Sequence, residues 1–223
     1  MSTAAAAALT ALAIAGLLTL FVVIVTDGRY GGKPLMRWIY NRFGASIFSA
    51  QSEAERWRKL AETLPLRGDE AILDVGTAVG DLPLTIAGLP NFSGRAAGVD
   101  WSPRMMSAAQ KQARRQGAPA HFAVVDVRRG LPFASGQFAI VFCLGLLETL
   151  PKAENLLLEL ARVLKGEGTL VVSLYRGWSA WSAALSERWY RQHLPSPGKW
   201  EVQVAPCRRG QEVVIARRRR ELV

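Results

Sequence analysis

The stretch AILDVGTAVGD, residues 71 to 81, constrains this chain more than any other part of it. An apolar run ends at Asp74-Val75, and the small residues Gly76, Ala78 and Gly80 follow before a helix-like segment begins. A strand that enters a helix through so tight a turn predicts a βαβ unit. Small side chains in the turn let a ligand lie against the backbone, and the start of the helix presents N–H groups to it.

The rest of the chain repeats that alternation. Apolar runs predict strands over 71–75, 96–99, 120–125, 139–144, 169–173, 200–205 and 212–217. Helices are predicted over 52–64, 81–87, 102–116, 152–164 and 178–192, with Ser102-Pro103 as N-cap and first-turn proline. The last two strands flank PCRRGQ, a turn-like sequence, and should pair antiparallel at one edge. The fold class is therefore α/β, a Rossmann-like seven-stranded mostly parallel sheet with a C-terminal antiparallel hairpin.

Acids stand at the ends of three successive strands: Asp74, Asp100 in AAGVDWS, and Asp126 in HFAVVDVR. Ligands of open α/β sheets bind along that edge. A dinucleotide loop would read G-x-G-x-x-G, whereas this turn is G-x-A-x-G with an acid two residues ahead of its first glycine. That acid argues against a pyrophosphate and suits a ligand carrying an ammonium group and a sulfonium. Asp100 is placed to accept from ribose hydroxyls, and Asp126 from an exocyclic amine such as that of adenine.

On these residues the chain resembles the class I S-adenosylmethionine (SAM)-dependent methyltransferases over residues 71 to 217. The resemblance implies that Asp74, Gly76, Ala78 and Gly80 cradle the methionine part of S-adenosylmethionine. It places Asp100 on the ribose and Asp126 with Val127 on the adenine edge. Trp101 would cover the adenine or pack in the core. GLPFASGQFAIVFCLGLLETLP is similar to the family's fourth-strand region, which makes Leu144, Gly145 and Glu148 candidates for the wall of the methyl-transfer centre. The chain departs from the family pattern at Ala78, where a glycine is usual, and at Ala139. Ahead of the sheet, YNRFGASIF resembles the lead-in segment of methyltransferases acting on quinones and phospholipids; Tyr40 keeps its first aromatic, and Asn41, Ile47 and Phe48 replace other motif residues.

Residues 2 to 26 carry no charge, and about 23 largely apolar positions suffice to cross a bilayer core as a helix. Arg29, Lys33, Arg37 and Arg42 follow the span and no basic side chain precedes it. The positive-inside rule then predicts a single-pass anchor with the catalytic domain cytoplasmic. The segment 27–50 mixes these cations with aromatic residues, a composition suited either to lipid headgroups or to an ordinary linker and first helix. The expected division is 1–26 as transmembrane anchor, 27–64 as basic, aromatic juxtamembrane and lead-in helices, and 65–223 as the SAM-binding domain.

The net charge of +10 is compatible with an acidic lipid leaflet or nucleic acid. No aromatic-basic RNA motif or recognition domain is present, so nucleic acid is not the expected partner. The closing arginines, 217–220, read as a solvated end, with anionic lipid as the alternative. Cys143 and Cys207 lack metal-ligand spacing, so no metal is expected and both read as reduced structural thiols. Trp178, Trp181, Trp189 and Tyr190 sit at helical spacing, as core residues or as a bilayer-facing acceptor channel. Neither His121 nor His193 is assigned a catalytic role. The function expected is methyl transfer from SAM to a lipophilic acceptor, a phospholipid amine or a quinone-like ring, with membrane lipids as partners. The alternatives are an inactive SAM-binding membrane scaffold and a protein or nucleic-acid methyltransferase.

Overall fold

The computed structural model describes residues 3–25, 33–46, 54–175, 185–196, 198–208 and 211–219. Helix α1 (Thr3–Val25) comes first, then α2 (Lys33–Ile39), which runs into a π-helical turn at Tyr40–Gly44, and then α3 (Ala54–Glu62). Strands and helices alternate from there: β1 (Ala71–Val75), α4 (Asp81–Ala87), β2 (Arg95–Asp100), α5 (Pro103–Gln116), β3 (Ala120–Val124), β4 (Phe138–Cys143) and α6 (Ala153–Val163). The chain closes with β5 (Leu164–Tyr175), α7 (Glu187–His193), β6 (Trp200–Arg208) and β7 (Gln211–Arg218).

The seven strands form one sheet in the order β3-β2-β1-β4-β5-β7-β6. Strands β1 to β5 run parallel, while β7 lies antiparallel between β5 and β6. The chain works outward from β1 to β3, then returns to set β4 on the other side of β1. At that reversal the connections diverge to opposite faces and leave a crevice beyond the strand ends.

Both faces of the sheet are covered, which is why β1 and β4 read as nearly unbroken apolar runs. Leu73, Val75, Val141 and Cys143 share one core with Leu157 and Leu160 of α6 and with Tyr190 of α7. Ile72, Ile140 and Phe142 share the other with Leu82 and Ile86 of α4 and with Leu60 and Ala61 of α3. A smaller cluster joins Phe122 to Met105, Met106 and Ala109 under α5. Helix α5 begins as its sequence predicts: the Ser102 side chain accepts from the Met105 N–H at 3.4 Å and Pro103 follows.

Two boundaries differ most from the sequence reading. Strand β5 starts at Leu164, not Thr169, with a register shift against Phe138 and Ile140 of β4. Gly168 allows this close passage, because a Cβ there would lie 2.6 Å from Leu164 Cγ and 2.9 Å from the Ala139 carbonyl oxygen. The helix predicted over 178–192 starts at Glu187 in its described part, where Ser186 caps it by accepting from the Trp189 N–H at 3.0 Å. Trp178 and Trp181 lie outside the described residues.

Trp189 and Tyr190 are core residues. Tyr190 is fully buried and donates its hydroxyl to the Ser173 carbonyl at 2.9 Å, and Trp189 packs on the same core and stacks on His193. Of the C-terminal arginines, Arg217 and Arg218 are half-buried in β7 and depart from the expected solvated end, whereas Arg219 is exposed. Arg218 lies over the Trp200 ring and donates to the Ala161 carbonyl at 2.7 Å, while Arg220 is outside the described residues. Helix α1, with its side chains from Leu9 to Val22 exposed, is the one helix among the described residues long and apolar enough, by length and composition, to cross a membrane.

Replacing Tyr190 by Phe leaves the buried Ser173 carbonyl without this donor and should cost about 1–3 kcal/mol of stability. A denaturant midpoint unchanged in Tyr190→Phe would show that the hydroxyl does not pin α7 to β5.

Candidate cofactor site

The strand ends bring two carboxylates into a largely dry environment. Asp74, in β1, is 5% exposed and Asp100, at the end of β2, is 7% exposed. Burial pushes the Asp74 carboxyl up to about 7; the Thr77 hydroxyl pulls against that shift and the Asp100 charge adds to it. Burial also raises Asp100, opposed by backbone N–H groups of Ser102, Ala78 and Trp101.

Asp100 joins the site together. Its Oδ1 accepts from the Ser102 N–H at 2.9 Å and its Oδ2 from the Ala78 N–H at 3.2 Å. One carboxylate thus ties the end of β2 both to the start of α5 and to the turn after β1. In that turn the N–H groups of Gly76 and Thr77 both donate to the Val99 carbonyl, at 2.8 and 3.1 Å.

The small residues have separate tasks. Gly76 has φ 83°, and a Cβ there would stand 3.0 Å from Leu146 Cδ2, so the loop after β4 packs over it. Gly80 also has φ 83°, and a Cβ there would meet the Phe122 ring at 2.7 Å, so this glycine permits close packing of helix and strand. Ala78 itself adopts φ 49°, a left-handed conformation that suits the glycine usual at this position. The turn therefore keeps its shape despite the methyl group, at a cost in strain.

The remaining candidates fall along the same edge with different surroundings. Trp101 is half-buried and directly follows Asp100. Asp126 follows β3, where the Val125 N–H donates to the Asp100 carbonyl at 2.9 Å. Both Asp126 oxygens receive the Arg128 guanidinium, and Asp126 caps the short 3-10 turn Val127–Arg129, so a ligand amine would share this carboxylate with an arginine. Leu144 follows β4 and packs against the core cluster beneath α3 and α4.

Sequence reasoning did not single out Ser173, Leu146 or the partner of Asn41. The Ser173 hydroxyl donates to Glu148 Oε1 at 2.6 Å and accepts from the Gly145 N–H at 2.8 Å, fastening the loop after β4 to β5. The one clue in the sequence was a serine within the apolar run TLVVSLY. Asn41 Oδ1, in the π-helical turn, accepts from the Ser102 hydroxyl at 2.8 Å, and Tyr40 packs on the same small cluster as Ala78. The lead-in segment is thereby held against the cofactor turn. His121 and His193 are both exposed, and Cys143 is fully buried in the core, with its thiol pushed well up by that burial.

The residues present fit an adenosyl ligand with a cationic amino-acid tail. Two buried carboxylates disfavour their own charged forms, and a bound ammonium or sulfonium would relieve that. Asp100 keeps acceptor capacity beyond its backbone donors.

Known proteins agree with this geometry. A family profile described as a methyltransferase domain matches residues 72–168. The ubiquinone/menaquinone biosynthesis C-methyltransferase UbiE of Geobacter sp. (strain M21) is 30% identical over 120 residues, which cover 52% of this chain and 51% of that protein. The chain thus spans about half the length of that relative. Among solved structures, magnesium protoporphyrin IX methyltransferase from Synechocystis PCC 6803, with bound SAH, superposes with a TM-score of 0.67 at 17% identity, covering 84% of this chain and all of that one (100%). The [4+2]-cyclase SpnF superposes with a TM-score of 0.64 at 17% identity, covering 76% of this chain and 82% of its own, so the shared fold alone does not specify a reaction.

Two outcomes follow from this site. Ala78→Gly should relieve the left-handed strain of about 1–2 kcal/mol less the extra entropy of glycine, for a gain of up to about 1 kcal/mol in a thermal or denaturant melt. Asp74 binds its proton more tightly folded than unfolded, about 7 against an ordinary 3.8, so its contribution to stability is fully present below pH 4 and is lost as pH rises towards 7. Asp74→Asn should flatten that part of the stability profile, and an unchanged slope would refute the assignment. Taken together, the topology, the acid-tipped strands and the matching profile identify residues 72–168 as a methyltransferase domain.

Proposed function

We propose that this chain transfers a methyl group from SAM to a lipophilic acceptor at the cytoplasmic face of a membrane. The observation that carries the reading is the Asn41–Ser102–Asp100 connection, which joins the segment next to the apolar helix to the centre of the cofactor site. A greasy acceptor arriving from a bilayer would meet the crevice there. The Geobacter relative's activity in quinone biosynthesis favours a quinone-like ring over a phospholipid amine.

In this proposal Asp74 faces the ammonium group of SAM, and Gly76, Ala78 and Gly80 lie along its methionine part. Asp100 holds the ribose hydroxyls, Trp101 covers the adenine, and Asp126 with Val127 reads its edge. Leu144 borders the methyl-transfer centre. SAM supplies a methyl already activated on sulfur, so the protein's task is to align the acceptor and keep water out. The uncharged α1 serves as the single-pass anchor, its basic flank facing the cytoplasm.

The test is transfer of labelled methyl from SAM to a demethylated quinone, to phosphatidylethanolamine and to soluble acceptors, with the protein in detergent or nanodiscs. Label in the quinone is the expected result, and label only in soluble acceptors would overturn the lipophilic assignment. Asp100→Ala should weaken SAM binding roughly 10- to 100-fold, the cost of losing hydrogen bonds to a charged group. Tight SAM binding with no transfer to any acceptor would favour a non-catalytic scaffold instead.

A further inference from the structure

Helix α5 carries four cations and no acid along PRMMSAAQKQARRQ. Met105, Met106, Ala109 and Ala113 form its buried face, while Arg104, Ser107, Lys111, Arg114 and Arg115 are exposed at spacings of three and four that align them on the outside. A shallow groove of about 440 Å³ runs along this outer face between Ser107 and Arg115. Among the described residues no carboxylate pairs with any of these cations.

At the N-terminal end of the stripe the character of the surface changes. A second groove, of about 390 Å³, is lined by Trp38, Asn41, Arg42, Pro103 and Arg104. Trp38 is 58% exposed, Phe43 44% and Leu35 38%, and the Arg42 guanidinium lies 5.2 Å from the centre of the Phe43 ring. The helix bearing Leu35 and Trp38 also touches α1. An apolar span, an aromatic collar and an acid-free cationic face are thus joined in contact order.

We infer that this face of α5, with the Trp38–Phe43 segment at its end, docks on an anionic phospholipid leaflet, the groove between Arg42 and Arg104 receiving a headgroup phosphate. Charge complementarity selects a polyanionic partner. Exposed Trp38, Phe43 and Leu35 beside an apolar span select lipid over nucleic acid, because amphipathic rings and short aliphatic side chains settle at the headgroup boundary. Since α5 starts three residues after Asp100, the surface that touches the leaflet also borders the cofactor crevice. The inference rests on the membrane location proposed above and adds which face of the domain meets the bilayer.

The test uses the full chain in nanodiscs, with Cys207→Ser to leave only the buried Cys143 and one reporter cysteine, either Ser107→Cys on the α5 face or Lys165→Cys at the start of β5. Each is labelled with an environment-sensitive dye, and quenching by brominated lipid is read in phosphatidylcholine discs with and without phosphatidylglycerol. The expected result is quenching at position 107 at least twofold above that at 165 in anionic discs only. That excess should disappear in 0.5 M salt and in the triple variant Arg104→Glu, Lys111→Glu, Arg115→Glu, given that one basic residue near an anionic leaflet is worth roughly a fivefold change in association. Equal quenching at the two positions, or excess quenching that ignores lipid charge, would overturn the inference. So would dye protection by transfer RNA in place of anionic lipid. Release of the chain by alkaline carbonate would count against the anchor itself; a carbonate-resistant chain with position 107 unquenched sinks only the docking face.

Discussion

The Asp100 carboxylate is the constraint on which the rest of the site depends. It stands where β2 gives way to α5, and it bonds forward to Ser102 and across to Ala78 in the turn after β1. Ser102 caps α5 with its side chain while its hydroxyl donates to Asn41. Four pieces of the chain, the first turn, the second strand, the long basic helix and the segment that follows the apolar span, are thereby held in one arrangement. A buried carboxylate without such donors would be costly, and these backbone groups keep it in place.

Around that point the sheet's topology does the positioning. Because β4 returns to the opposite side of β1, the loop carrying Leu144, Gly145 and Leu146 faces the glycine turn, and Leu146 covers Gly76. Ser173 then fixes this loop from the neighbouring strand through Gly145 and Glu148. The two sides of the crevice come from distant parts of the sequence, yet each is fastened by one or two short hydrogen bonds. Ala78 shows how firmly: the surrounding bonds hold an alanine in a conformation that suits glycine better.

Much of this was legible beforehand, for physical reasons that can be named residue by residue. Strands buried on both faces must be apolar throughout, so β1, β2 and β4 stand out; Ser102-Pro103 marks a helix start by its own chemistry. The acids at 74, 100 and 126 are conspicuous because a carboxylate closing an apolar run has no structural excuse but a turn, a cap or a ligand. Asp126 proved to have an additional partner in Arg128, which spacing alone cannot rank against a ligand. The α7 aromatics were ambiguous because a helical stripe looks the same whether it faces a core or a bilayer; only the burial of Tyr190 against Ser173 decides it.

By itself the sequence determined the alternation of strands and helices, the acid-tipped edge, the apolar span and the family resemblance, since each is written in local composition and period. Only the tertiary structure decided that Asn41 meets Ser102, that Leu146 closes over Gly76, that Ser173 anchors Glu148, and that α5 turns an acid-free cationic face outward beside Trp38. These are pairings between residues 25 to 70 positions apart or between helix faces, and they exist only once the core has chosen which side of each element to bury.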